Sequence, residues 1–134
     1  MTASPTARSL DLLRRQGWTA GVVERHIQQI HVTIDLFGFI DLLALRDTSC
    51  LAVQATSRSN LAARVKKSAA AEHLPKWLAI PGHRFECWGW VLQGRAGTRK
   101  RWLLHQVAFS LDNHQRLHVT DPAIFIAEAP LPAV

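Results

Sequence analysis

FGFIDLLALRDTSCLAVQATS, residues 37–57, holds two apolar runs separated by a short polar break. Leu36–Leu45 and Cys50–Thr56 each have strand length and composition, and Arg46–Ser49 between them supplies turn residues, so the segment predicts a β-hairpin. Side chains alternate along a strand, which puts Phe37, Phe39, Asp41, Leu43 and Leu45 on one face and Ala52, Gln54 and Thr56 together on the partner strand. Asp41 is the one charge on its face, where a buried carboxylate is costly unless it is paired or holds a metal. In the simplest register Asp41, Gln54 and Thr56 converge at one end of the sheet.

Upstream, Ser4-Pro5 reads as a helix cap with proline in the first turn, and Leu10 and Leu13 give an amphipathic helix ending at Gly17. Trp18–Ile27 predicts a strand with Val22, Glu24 and His26 on one side and Val23, Arg25 and Ile27 on the other. Downstream, Ser57–Asn60 offers capping residues before the alanine-rich LAARVKKSAAAEHL, a helix that Pro75 is expected to stop. Trp77–Ile80, a Pro81-Gly82 turn and the alternating Phe85–Leu92 then predict further strands. GRAGTRKR, residues 94–101, is a basic hairpin tip leading into the strand WLLHQVAF. The chain is therefore expected to be α/β or α+β, with a single mixed sheet and both helices covering one face of it.

The 134 residues suit one domain, with a core over roughly residues 5–92 and the basic hairpin and a C-terminal extension over 93–134. Sixteen Lys and Arg against ten Asp and Glu give a formal charge of +6 and favour polyanionic partners. No apolar run approaches a membrane span or a signal peptide, which predicts a soluble intracellular (cytoplasmic) protein without membrane partners. Cys50 and Cys87 form no CxxC pair and are expected to be reduced and structural. His114 and His118 lie four apart without a helical setting, and the five tryptophans are expected in the core more than on bases.

With these elements in place, the chain resembles the PD-(D/E)XK nuclease superfamily, including Holliday junction resolvases and virus-type replication-repair nucleases. Gly38-Phe39-Ile40-Asp41 resembles the G-x-x-D element, Leu51–Thr56 the apolar-E-x-K element, and Ser9–Trp18 the first helix and its turn. The resemblance implies a restriction-endonuclease-like core in the order α-β-β-β-α-β. It also implies Mg²⁺ (or Mn²⁺) held at Asp41 and Gln54, hydrolysis of DNA phosphodiesters, branched or duplex substrates and a homodimer. Gln54 stands where the family has an acid, and Thr56 where it has the lysine. Glutamine retains a carbonyl oxygen for the metal; the missing cation is sought on the following helix, at Arg64 or Lys67, which share a face that Lys66 does not. A replacement acid is sought at Glu24, Asp35 or Asp11. Arg58, Arg64, Lys66 and Lys67, together with Arg95, Arg99, Lys100 and Arg101, are the candidate contacts to nucleic acid. The competing expectation keeps the fold without the chemistry, as a nucleic-acid-binding or assembly module.

Overall fold

The computed structural model describes residues 3–126; the proline-rich end of the C-terminal extension lies outside them. Helix α1 (Pro5–Arg15) starts as its sequence predicts, with Ser4 Oγ accepting the Ala7 N–H at 3.1 Å, and the chain leaves it through Gly17 at φ +88°. Strands β1 (Thr19–Val22), β4 (Leu42–Arg46), β5 (Ser49–Ser57), β6 (His83–Gln93) and β7 (Arg101–Leu111) lie side by side in that order. The far edge of β7 is shared by β8 (Leu117–Val119) and β9 (Ala123–Ile126), completing a seven-stranded sheet. All its pairs are antiparallel except β5 with β6, whose parallel pairing needs a crossover. Helices α2 (Arg58–Ala69) and α3 (Leu74–Leu78) supply it. The architecture is α+β with a mixed sheet and flanking helices, as expected; the two short strands β2 (Arg25–Ile27) and β3 (Val32–Ile34) form a separate ribbon.

The helices do not share a face. Leu12 and Leu13 of α1 pack with Trp18, Leu51, Val53, Trp88, Trp90 and Leu104, and Trp90 Nε1 donates to the buried Ser9 Oγ at 2.8 Å. On the opposite side Leu61 of α2 and Leu74 of α3 pack with Phe39, Ala52, Phe85, Cys87 and Phe109. The physical reason is that β5 is buried from Leu51 to Thr56, so its odd and even residues both need cover. Cys50 and Cys87 are both free, and burial pushes the Cys87 thiol up to about 12, which keeps it unreactive.

Three boundaries depart from the sequence reading. The Trp18–Ile27 strand breaks after Val22, because the N–H groups of Val23 and Glu24 both turn to the carbonyl of Asp41, at 2.8 and 3.3 Å. The Leu36–Leu45 strand begins only at Leu42; before it, Leu36 and Ile40 close a tight turn on each other through Phe37 at φ +55° and Gly38 at φ +84°. Phe37 and Phe39 consequently do not share a strand face with Asp41: Phe37 projects outward while Phe39 is fully buried. Finally, α2 ends before Pro75, which instead starts α3, where a proline in the first turn sacrifices no hydrogen bond. Trp77 thus belongs to a helix, and its indole N–H donates to the Arg84 carbonyl at 2.9 Å.

Gly89 of β6 lies directly beneath the start of α2, where an added Cβ would come within 3.0 Å of Leu61 Cβ and 3.2 Å of Arg58 Cα. Gly89→Val is expected to lower stability by about 1–3 kcal/mol through overpacking at this seam, measured as a lower urea midpoint with unchanged m.

Candidate metal centre

Asp41 is held by the backbone before its side chain is considered. Its N–H donates to the Val53 carbonyl at 2.9 Å, and its own carbonyl takes the two N–H groups that end β1. This directs the carboxylate along the α2 side of β5, where Oδ2 accepts the Ala55 N–H at 2.8 Å and Oδ1 accepts Gln54 Nε2 at 2.9 Å. The same Nε2 also reaches Asp35 Oδ2 at 3.2 Å. Glu24 completes the group: Glu24, Asp35 and Asp41 each place a carboxylate oxygen within 4.8 Å of the others. Glu24 directly precedes β2 and Asp35 directly follows β3, so the two acids stand at the two feet of the ribbon.

Crowding these carboxylates has an electrostatic cost. Asp41 is 3% exposed, and its pKa is pushed up to about 7, first by burial, then by its hydrogen bond with Asp35 and by the Asp35 charge. The bonds from Gln54 and Ala55 oppose the shift. Glu24 is also raised, by burial and then Asp35, against the lowering influence of Asp41 and of Arg64. A bound divalent cation would offset both the burial cost and the repulsion of the charged carboxylates. The donor set fits a hard ion: carboxylate oxygens from three residues, plus Gln54 Oε1, which is buried and accepts no hydrogen bond. Rotation about the last side-chain bond of Gln54 exchanges that oxygen with Nε2, the atom now between two carboxylates.

Of the residues proposed from sequence, Asp41, Gln54, Glu24 and Asp35 come together. Glu24 does so from the short connection between β1 and β2 and not from the predicted strand face it was to share with Val22 and His26. Asp11 is elsewhere, paired with Arg15 at 3.0 Å on α1, against the other face of the sheet. Thr56 is buried on the Gln54 side of β5 opposite Gly89 and brings no charge. Arg64, half-buried on α2, acts on Glu24. Lys67 is exposed beside Phe37 and Gly38, and Lys66 is exposed. Arg58 is exposed at the first position of α2, while Arg95, Arg99, Lys100 and Arg101 are exposed on the β6–β7 hairpin, at the end of the sheet toward which β5 and β6 run. His114 sits in a turn and His118 in β8, on no common helix face. The sequence reading overlooked Phe37 as a surface group; the glycine after it was the available signal for a turn.

No family model, curated protein or solved structure matches the chain.

Because the folded pKa of Asp41 lies above its ordinary 3.8, the folded state binds this proton more tightly than the unfolded chain. The associated stability is complete below about pH 4 and is lost as pH rises through about 7. In metal-free buffer the melting temperature should fall over that window. Asp41→Asn, whose oxygen can accept from Ala55 while its NH2 donates to the Oε1 of a turned-over Gln54 amide, should remove the slope and stabilise the protein at pH 8 by about 1–3 kcal/mol. Thermal melts of both proteins from pH 4 to pH 8 measure this; parallel curves would contradict the coupling.

Proposed function

We propose that the protein is a metal-dependent nuclease that hydrolyses DNA phosphodiesters at the Glu24–Asp35–Asp41 cluster. The observation that carries this reading is the convergence of those acids with Gln54 at the start of the β4–β5 hairpin, the strand pair that bears the D and E-x-K elements in the family the sequence resembles. The order α1, β1, β4, β5, α2, β6, with β6 parallel to β5, supports it as well. Mg²⁺ or Mn²⁺, when bound, would polarise the phosphate and lower the pKa of a water.

The protein's own groups have separable tasks. Asp41 and Asp35 would hold the ion together with the Gln54 oxygen, Asp41 as its deprotonated carboxylate. Glu24, less buried and with a raised pKa, is placed to take a proton from the attacking water. Arg64 stands in for the absent lysine by offsetting charge on the phosphate. Exposed Arg58, Lys66 and Lys67 on α2, and Arg99, Lys100 and Arg101 on the hairpin, bind the backbone of the substrate.

Thr56 favours a second reading, in which the fold binds DNA without cutting it, because a buried hydroxyl replaces the cation at that position. Cleavage of labelled branched and linear DNA in Mn²⁺ separates the two. Under the nuclease reading Asp41→Asn loses more than about a hundredfold in rate, beyond what an outer-shell partner contributes, and Arg64→Ala is also impaired. Salt-sensitive binding by the wild type with no cleavage in any metal would leave the second reading standing. Mn²⁺ should also raise the melting temperature of the wild type, by about 2.7 kcal/mol of stability at a hundred times its Kd, and leave Asp41→Asn little changed.

A further inference from the structure

The turn that aligns Asp35 with Asp41 has a second product. Phe37 sits at its apex, 56% exposed, in a left-handed conformation (φ +55°) that bulky residues rarely adopt. The turn around it is closely tied, with Gly38 N–H donating to the Asp35 carbonyl at 3.1 Å and Phe39 N–H to the Leu36 carbonyl at 3.2 Å. An exposed ring held this way gains little from burial, so packing does not account for it.

Open concavities flank the ring. One, of about 240 Å³, is lined by Phe37, His73, Lys76, Trp77 and Ile80. The other, of about 440 Å³, lies at the C-terminal end of α2 and includes Gly38, Lys67 and Glu72. His73 meets Phe37 in a T-shaped contact with ring centroids 6.3 Å apart, and Phe37 keeps 56% of its surface open to a further partner. The first concavity thus joins aromatic and aliphatic walls to the ammonium of Lys76, and Lys67 lines the second concavity beside the same ring. A planar apolar group attached to an anion complements this arrangement, whereas a purely apolar partner would leave both lysines unused.

We propose that Phe37 is a stacking platform for an unpaired nucleobase of the DNA strand engaged by the acidic cluster, with Lys76 and Lys67 on the adjoining phosphates. The inference rests on the nuclease reading for its substrate, and it adds a preference for DNA whose bases are displaced from the helix. Aromatic stacking tolerates any base, so the selectivity is for structure and not for sequence.

The test is binding without metal, in EDTA, to a duplex carrying one unpaired 5-iodouracil and to the same duplex fully paired. Wild type should prefer the interrupted duplex. Phe37→Ala should bind it about tenfold more weakly while changing affinity for the paired duplex by less than about twofold, and Phe37→Trp should restore the preference. Irradiation should crosslink the iodouracil to residue 37, located by mass spectrometry. An unchanged preference in Phe37→Ala, or a crosslink confined to other residues, overturns the platform. The outcomes separate from those for the nuclease: Mn²⁺-dependent cleavage without the Phe37 effect rejects the platform alone, and the Phe37 effect in a protein that never cleaves rejects the nuclease alone. Absence of DNA binding rejects both.

Discussion

The hold of Asp41 on its neighbours is the constraint from which the rest of this structure follows. Its backbone carbonyl ends β1, its backbone N–H begins the pairing of β4 with β5, and its carboxylate accepts from Ala55 and Gln54 on the same strand. One residue therefore aligns three strands and the candidate centre together. A buried carboxylate with a raised pKa is an expensive way to fasten strands, since its charge must be desolvated to accept those two N–H groups. That the cost is borne where Asp35 and Glu24 add to it points to the charge itself as the useful quantity.

The sheet makes this concentration tolerable. Apolar cover on both faces, α1 on one and α2 with α3 on the other, puts enough buried surface around β5 and β6 that one strained polar cluster need not unfold the domain. α2 also has a directional task. Its close seat over Gly89 sets the helix at the height where the charge of Arg64 influences Glu24, so a residue without a side chain on one strand helps set the charge felt by an acid in the β1–β2 connection.

Much of this was legible in the sequence where the information is local. Ser4, Pro5 and Gly17 delimit α1 by capping chemistry, and the two-residue turn at Asp47-Thr48 sets the register that brings Gln54 to Asp41. What escaped is decided by distant atoms. Nothing near Val23 says that its strand must end, because the acceptor that ends it belongs to Asp41. Pro75 is ambiguous on its own, serving equally to stop one helix or to start the next. Glu24 and Asp35 could be named but not chosen over Asp11, since only the return of the ribbon shows which acids meet. The near-unbroken apolar run of β5 did carry a signal for cover on both sides, and Gly38 carried one for the turn; both were outweighed by the regular alternation around them.

The ribbon has one further implication. Residues 25–34 leave the body at Glu24 and come back at Asp35, and the two ends are fastened together by the same cluster and the same backbone bonds. A segment whose ends are already joined behaves as an interchangeable cassette: lengthening it adds only a slowly growing closure entropy, and its replacement need not disturb what lies beneath. In this protein an almost wholly exposed ribbon is bolted to a buried polar cluster, so the surface it presents can change without moving the acids at its base.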